Sequence, residues 1–160
     1  MSGFICQPLQ PEQAATVFPL IREALPGLDL KTWLRFAHRI AQPRRPGQSG
    51  IIVVHRRPRP LPCGVFTWRC EHDLVHGEIL IAEHFVAVDL LDPAPVMAAL
   101  VAELDLLARR LGCTAIRTVV PGQGALAITR LHAAGHRHEG EMLWKVVPKA
   151  EDTPHAAGRS

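Results

Sequence analysis

His76–Gly112, HGEILIAEHFVAVDLLDPAPVMAALVAELDLLARRLG, is the stretch around which the rest of the chain is organised. Its first part, Glu78–Asp89, is a long apolar run that predicts a strand. Asp92 and Pro93 then begin a helix, which Gly112 ends. Seven residues of that helix recur at intervals of three and four and form one apolar stripe: Met97, Leu100, Val101, Leu104, Leu107, Ala108 and Leu111. A strand that leads into a helix N-terminus is where many α/β folds bind a phosphate-bearing ligand.

The residues before this stretch predict one strand, two helices and two further strands. In chain order these are Phe4–Pro8, Pro11–Leu25, a helix capped by Asp29, Ile51–His55 and Gly64–Cys70. Arg56–Pro62 carries three prolines, which cannot donate to a sheet ladder, so we expect a protruding hairpin loop there. The last two of these strands and Glu78–Asp89 then form an antiparallel meander.

The residues after this stretch predict a strand, a short helix and a closing strand: Ala115–Val120, about Ala125–Ala134, and Arg137–Val147. Because a helix joins Glu78–Asp89 to Ala115–Val120, we expect those two strands to be parallel. The order β-α-α-β-β-β-α-β-α-β predicts an α/β fold, a mixed sheet with helices on its faces. We expect one domain over residues 1–147 and a flexible C-terminal tail over residues 148–160.

The composition fits a globular domain. With 160 residues, of which 48% are hydrophobic, the chain can bury about 70% of the surface that its unfolded form exposes. No apolar run reaches the roughly 20 residues that span a bilayer. The first residues, MSGFICQPLQPEQ, lack the basic start and apolar run of a signal peptide. The sequence therefore predicts a cytoplasmic protein with no membrane-spanning segment.

Cysteine and histidine form no recognisable metal-binding pattern. The four cysteines are far apart, whereas a zinc site usually shows two close pairs: Cys6, Cys63, Cys70 and Cys113. We expect free, mostly buried thiols. Two looser groups contain imidazoles: His132, His136 and His138 form one, and Cys70, His72 and His76 form the other. We predict no metal at either group, because neither has the close ligand spacing of a zinc site.

Charge is distributed unevenly along the chain. Lys31–Arg59 contains eight Lys or Arg and no Asp or Glu, and Glu71–Asp105 contains eight Asp or Glu and no Lys or Arg. One interpretation is that the two segments face each other, within one chain or across a homodimer. The other is an acidic cleft for a cationic substrate or a basic face for an anionic partner. The basic loop Arg56–Pro60 lacks interleaved aromatic residues, so nucleic-acid binding is the less favoured interpretation.

The element order and four segments resemble the GNAT superfamily of N-acetyltransferases. The segments are EHFVAV at residues 83–88, RRLGC at 109–113, AIRTVV at 115–120 and ALAITRLHAAGHRHEGEMLWKVV at 125–147. The resemblance covers about Phe4–Val147. It implies a GNAT-like acyl-CoA N-acyltransferase fold, acetyl-CoA as cofactor, and transfer of an acetyl group to a small-molecule or peptide amine.

The resemblance also implies where the cofactor lies. In this family, acetyl-CoA lies against the strand that corresponds to Ile79–Val88, and backbone N–H groups at the start of the next helix hold its pyrophosphate. We therefore expect the pantetheine arm to lie along the end of the strand, at Phe85, Val86, Ala87 and Val88. We expect further cofactor contacts from the start of the helix, at Ala94, Val96, Met97 and Ala98.

The start of that helix departs from the family pattern. The usual Arg or Gln followed by spaced glycines is replaced by Asp92–Met97, DPAPVM. Pro93 and Pro95 each remove an N–H donor, and the carboxylate of Asp92 is placed to cap the helix and to repel a phosphate. The usual pyrophosphate loop is therefore absent, and we expect phosphate contacts elsewhere, with Arg109 as one candidate.

Two residues are predicted to act in catalysis, Glu83 as general base and His132 in place of a proton-donating tyrosine. Family members often use a carboxylate on the central strand, and partial desolvation within the apolar run favours proton uptake by Glu83. The alternative is that Glu83 pairs with an arginine at a sheet face. Neighbouring strand residues face opposite sides, so we expect His84 in a different pocket. The family's tyrosine position is matched by Leu131, beside His132.

Three functions remain open at this level. The first is an acetyl-CoA-dependent N-acetyltransferase whose acceptor lies between the first two helices and the meander, where an acidic lining would suit a cationic amine. The second is a GNAT-like binding or regulatory module that has lost the chemistry. The third is a nucleic-acid-binding accessory protein that uses Lys31–Arg59.

Overall fold

The computed structural model describes residues 3–58, 60–121 and 124–148. In these ranges the chain forms five strands and four α-helices: β1 Phe4–Pro8, α1 Ala14–Ala24, α2 Leu30–Ala41, β2 Ser49–Arg56, β3 Leu61–Asp73, β4 Gly77–Ala87, α3 Ala94–Arg110, β5 Ala115–Thr118 and α4 Ala125–Ala133. A single 3₁₀ turn, Pro11–Gln13, leads into α1. Within the described residues, no helix is long and apolar enough to cross a membrane.

The five strands form one mixed sheet in the order β1-β2-β3-β4-β5. The first three pairings are antiparallel, and β4 pairs with β5 in parallel through the crossover helix α3. Both the predicted meander and the predicted parallel crossover are confirmed. The parallel pairing is short, because it joins only Ile79–Ala82 to Ala115–Thr118.

Helices cover both faces of the sheet. One face, which we call the α3/α4 face, packs Phe66, Leu80 and Ala82 against α3 and α4. The opposite face, the α1/α2 face, packs Val65 and Val86 against α1 and α2. These two layers of apolar contact explain why the middle of β4 is buried on both sides.

Close backbone contact fixes the start of α3 against β3. A Cβ atom placed on Gly64 would lie 2.7 Å from Cγ1 of Val96, so only glycine lets the helix approach the strand this closely. Val96 itself is fully buried. This contact therefore fixes the distance between the start of α3 and the sheet.

The predicted cap of α2 is confirmed. Asp29 accepts a hydrogen bond from the Thr32 N–H at 2.8 Å through one carboxylate oxygen, and from the Thr32 hydroxyl at 2.9 Å through the other. These bonds hold the pKa of the Asp29 carboxyl below its ordinary value. The cap sets the entry angle of the helix that carries Trp33, whose buried indole N–H donates to Ala14 O at 2.7 Å.

Two predictions about strands are wrong. The predicted closing strand Arg137–Val147 is irregular, because polar residues fill its first half and Gly140 interrupts it with φ = +77°. The hairpin loop after β2 is also shorter than predicted, because β3 already begins at Leu61. Pro62 pairs with His55 next to a bulge, which accommodates a residue that cannot donate to the ladder. The predicted flexible tail lies outside the described residues, apart from Pro148.

Candidate active site

A β-bulge interrupts the pairing of β3 with β4. Val65 pairs with Val86 and Thr67 pairs with Glu83, so His84 and Phe85 together oppose Phe66 alone. His84 adopts φ = +56°, the left-handed region that side chains other than glycine rarely enter. Strained backbone conformations persist only where the surrounding structure is stable enough to hold them, and they cluster at functional sites.

The bulge places Glu83 and His84 on the same side of the sheet. Glu83 forms an ion pair with Arg69, the Oε2 to Nη1 distance being 3.0 Å, and Arg69 lies on the α1/α2 face. His84 lies beside Phe36 of α2, ring edge to ring face, with centroids 5.8 Å apart. The expectation that these neighbours face opposite sides is therefore wrong, because alternation along a strand fails where an extra residue is inserted.

The bulge also marks the point at which β4 loses its parallel partner. The last contact between the two strands is the Val119 N–H, which donates to Ala82 O at 2.9 Å. β4 continues to Ala87, and its edge from Glu83 to Ala87 has no strand partner on the β5 side within the described chain. We call this the open edge. Its backbone N–H and C=O groups can bind an extended ligand that bears amides.

His84 has a polar partner as well as an apolar environment. Its Nδ1 lies 2.8 Å from the hydroxyl of Thr67, which is itself only 4% exposed. Burial lowers the pKa of His84 below its ordinary value of 6.5; the nearby charge of Glu83 acts in the opposite direction and that of Arg69 in the same one. At neutral pH the imidazole is therefore uncharged and able to accept a proton.

Two cavities flank the bulge. The charged cavity, about 290 Å³, is lined by Arg69, Glu83 and Arg117 and by the irregular segment Met142–Trp144. The apolar cavity, about 160 Å³, lies between α1, α2 and β4 and has His84 in its wall. Glu83 and His84 therefore line different cavities, as expected, although they share one face of the sheet.

The apolar cavity lies where the sequence predicts the acceptor, but its lining differs from the acidic one considered there. Its walls are made by five apolar side chains: Ile21, Leu25, Leu28, Trp33 and Phe36. His84 and Thr32 are its polar lining residues, and among the residues that the structure describes neither a carboxylate nor a Lys or Arg lines it.

Arginine, not solvent, is the partner of Glu83. The side chain of Glu83 is 26% exposed and accepts a hydrogen bond from Arg69. Nε of Arg69 also lies 3.6 Å from Oε2 of Glu71. The alternative interpretation, an arginine pair at a sheet face, is therefore confirmed for Glu83.

Carboxylates of the chain itself occupy the backbone donors before α3. Asp89 accepts from the Leu91 N–H at 2.9 Å, and Asp92 accepts from the Ala94 N–H at 2.9 Å. The hydrogen bond from Leu91 is the largest of the effects that hold the pKa of Asp89 below its ordinary value. The expected capping role of Asp92 is confirmed, and Asp89 performs a similar role that sequence reasoning missed.

Asp89 also joins the two charged segments of the chain. It forms an ion pair with Arg56 and is only 4% exposed at its side chain. Within the described residues, this is the single ion pair between Lys31–Arg59 and Glu71–Asp105. Arg56 is thus the cation beside the β4–α3 junction. Arg109, the candidate named from sequence, is at the far end of α3, about 20 Å away along a helix axis that rises about 1.5 Å per residue.

No protein-family model matches this chain, and no curated protein matches its sequence. Solved structures do match it over nearly its full length. An aminoglycoside N-acetyltransferase in complex with CoA superposes with a TM-score of 0.75 at 13% identity, covering 92% of this chain and 96% of that one. Glucosamine-6-phosphate N-acetyltransferase from Arabidopsis thaliana gives 0.70 at 12% identity, covering 91% and 99%. The chain has the GNAT acetyltransferase fold.

The same fold also occurs in a transcriptional regulator from Bacillus halodurans C-125, which gives a TM-score of 0.76 at 13% identity and covers 90% of this chain and 99% of that one. Identities at this level show the fold and leave the activity to be argued from the site.

Among the predicted cofactor residues, several have side chains that are buried in the core. Phe85 and Val86 are 8% and 6% exposed and point into the two apolar layers. Val96 and Met97 are buried as well, and the Met97 N–H donates to Pro93 O at 3.0 Å. Val88 alone among the strand positions is well exposed, at 38%. The strand residues border the open edge, whereas the helix start has few free donors.

His132 lies apart from both cavities. It is exposed on the last turn of α4, edge to face with His138 at 5.1 Å, while Leu131 is buried in the core. His136 lies nearer the open edge, because its Nδ1 is 3.5 Å from the hydroxyl of Thr118, the residue that pairs with Ala82. Of these two histidines, His136 is therefore the one closer to the open edge.

The described residues contain no group of three or more His, Cys, Asp or Glu placed to hold a metal ion. The four cysteines are free and half-buried. Cys70 and Cys113 have their sulfur atoms 3.7 Å apart, and burial together with this contact raises the pKa of Cys70 to about 12.

Proposed function

We propose that this chain is an N-acyltransferase that moves an acetyl group from acetyl-CoA to an amine. The observation that carries the proposal is the coincidence of three features at one place. The bulge at His84, the beginning of the open edge, and two cavities on the α1/α2 face all meet there. An extended thioester along the open edge would present its carbonyl carbon beside the bulge.

The open edge supplies the contacts for the pantetheine arm in this proposal. Backbone groups of Glu83–Ala87 pair with its amides, while the side chains of Phe85 and Val86 stay in the core. An N–H group of the same edge can stabilise the oxygen that becomes negative as the amine attacks. The helix start, Ala94–Ala98, offers fewer contacts in this proposal, because Val96 and Met97 are buried and Pro95 has no N–H.

Two groups beside the bulge are candidates for the general base. Glu83 serves an amine in the charged cavity and His84 serves an amine in the apolar cavity. In either case the amine nitrogen bonds to the acyl carbon, the C–S bond breaks, and the base takes the proton that the nitrogen loses. His132 remains our sequence-based candidate to return a proton to the thiolate, and His136 is the better-placed alternative.

The test is a titration of acetyl-CoA by calorimetry, together with thermal unfolding at increasing cofactor concentration. We expect measurable heat and a rise in Tm. Absence of both at millimolar cofactor contradicts the proposal. If CoA binds, Glu83→Gln and His84→Gln are compared for turnover with an amine acceptor. The variant that loses turnover while still binding CoA identifies the base.

A second candidate function is supported by the loop before α3. There Asp89, Asp92 and two prolines leave little for a pyrophosphate to bind. A GNAT-fold binding module without chemistry would show this loop and the same cavities. The calorimetric titration separates the two candidates, because a binding module of this kind gives neither heat nor stabilisation with acetyl-CoA.

A further inference from the structure

We infer that the acceptor is a small primary amine with one apolar, ring-sized side chain, bound in the apolar cavity with its nitrogen at His84. The inference rests on the proposed function and specifies its substrate class. It differs from the acceptors in the names of the two acetyltransferases above, an aminoglycoside and glucosamine-6-phosphate, which are polar.

The first argument comes from the lining and the size of the apolar cavity. Its walls are aliphatic and aromatic, and no acid, Lys or Arg lines it within the described part of the chain. At about 160 Å³ it is similar to the cavity of about 150 Å³ that holds benzene in another protein. A polyamine or an amino sugar would leave charges and hydroxyls there without partners, which is costly. One phenyl ring or a branched chain of about five carbons fits without that cost.

The hydrogen bonds of Thr67 carry the second step. Its hydroxyl lies 3.4 Å from Glu83 O and 2.8 Å from Nδ1 of His84. Since a hydroxyl has one proton and the Glu83 carbonyl can only accept, the arrangement that satisfies all three groups has Nδ1–H donating to Thr67. We assign this tautomer from the network. It leaves the lone pair on Nε2 of His84 for the amine.

The charged cavity makes a poor site for a cationic acceptor. Two arginines line it, and its one carboxylate, Glu83, is already paired with Arg69. Arg117 is likewise bound to Asp73, at 2.7 Å. Among the described lining residues, a multiply charged amine would therefore find no unpaired carboxylate on that side of the bulge, and it would meet an apolar wall on the other.

The chemical step in the apolar cavity balances as follows. The neutral amine nitrogen bonds to the acetyl carbon, the C–S bond breaks with its electron pair on sulfur, and Nε2 of His84 takes one proton from nitrogen. The CoA thiolate then takes one proton. When that proton comes from His84, the imidazole returns to its neutral form. An amine that arrives as an ammonium ion must first lose a proton to solvent.

The first test compares acceptors at saturating acetyl-CoA, with release of CoA thiol as the readout. We expect kcat/KM for 2-phenylethylamine and isopentylamine to exceed that for putrescine and glucosamine-6-phosphate by about tenfold or more, since each added methylene in an apolar pocket contributes several-fold. Faster transfer to the polar amines overturns the inference and leaves the proposed function intact. No transfer to any amine, with no binding of CoA, overturns the proposed function itself.

The second test changes the rim of the cavity. Leu25 lines it and is 39% exposed, so Leu25→Glu adds a carboxylate without opening the core. We expect a loss of about tenfold or more in kcat/KM for 2-phenylethylamine and a relative gain for putrescine. Leu30→Glu is the matched control, because Leu30 is 42% exposed, begins α2 and does not line the cavity. An equal effect of both variants contradicts the inference.

The third test separates acceptor from donor. If the cavity binds the acyl group, phenylacetyl-CoA will be the preferred donor and the side chain of the amine will not affect the rate. That outcome overturns the inference. Binding is measured independently of turnover by ¹⁹F NMR of 4-fluoro-2-phenylethylamine. We expect its signal to broaden with the native protein and with Leu30→Glu, and much less with Leu25→Glu.

Discussion

The hydroxyl of Thr67 lies 2.8 Å from Nδ1 of His84; His84 belongs to the bulge in β4, and Thr67 lies on β3 opposite Glu83, directly beside the bulge. Thr67 is the single buried polar residue of the described core. A buried hydroxyl between an imidazole and a backbone carbonyl orients the ring and selects its tautomer.

Thr67→Val is therefore expected to reduce kcat by about tenfold or more while the amine KM changes little, because the ring loses its orientation and not its pocket. The variant should also lose about 1–3 kcal/mol of stability through the unpaired Nδ1–H. Thr67→Ser is the control and should restore both. Steady-state kinetics and urea denaturation measure the two effects, and native kcat in Thr67→Val would exclude the positioning role.

The left-handed backbone of His84 gives a prediction that separates strain from side-chain loss. Glycine adopts φ = +56° without penalty, whereas alanine does not. We expect His84→Gly to be more stable than His84→Ala by about 1 kcal/mol, reversing the usual order of these two residues. Urea denaturation of the two variants measures the difference. Equal stability would mean that the bulge relaxes when the imidazole is removed.

Stability should fall as the pH falls below the ordinary histidine pKa. Burial lowers the pKa of His84, His55 and His136 from 6.5, so the fold favours their neutral forms. Below pH 6.5 the unfolded chain binds more protons than the folded chain, and the stabilisation is lost as the pH falls through the folded-state values. Urea denaturation between pH 7.5 and 5 measures this slope. His84→Gln should flatten it.

The residues at the start of α3 predict how the affinity for CoA compares with the affinity for pantetheine. If contacts run along the open edge, the two should bind with affinities within about tenfold of each other, since the loop before α3 offers phosphate little. Asp92→Asn keeps an acceptor for the Ala94 N–H and removes a negative charge, so CoA affinity should rise by about two- to fivefold. Pantetheine affinity should not change.

Calorimetry with both ligands tests this prediction. Glu12→Gln, which removes an exposed charge before α1, serves as the control for net charge. A native protein that binds CoA far more tightly than pantetheine would show that a phosphate cradle exists, and Arg56 would then be the first residue to replace.

Much of the fold could be predicted from local sequence. The apolar stripe of α3, the cap at Asp29 and the meander follow from patterns a few residues long, and the structure confirms them. The capping of α3 by Asp92 was predictable for the same reason, because the accepting carboxylate and the Ala94 N–H that donates to it are two residues apart. The predicted closing strand is wrong, because polar residues fill the first half of Arg137–Val147 and Gly140 interrupts it.

The candidate site was only half predictable. Sequence alone determined that Glu83 and His84 lie within the long apolar strand β4 and that the helix after it starts without glycines. The tertiary structure decided that a bulge turns both side chains to one face, that Arg69 binds Glu83, and that Thr67 and α2 enclose His84. These contacts depend on the register between strands and on packing between residues that are distant in sequence, which no pattern within a single segment records.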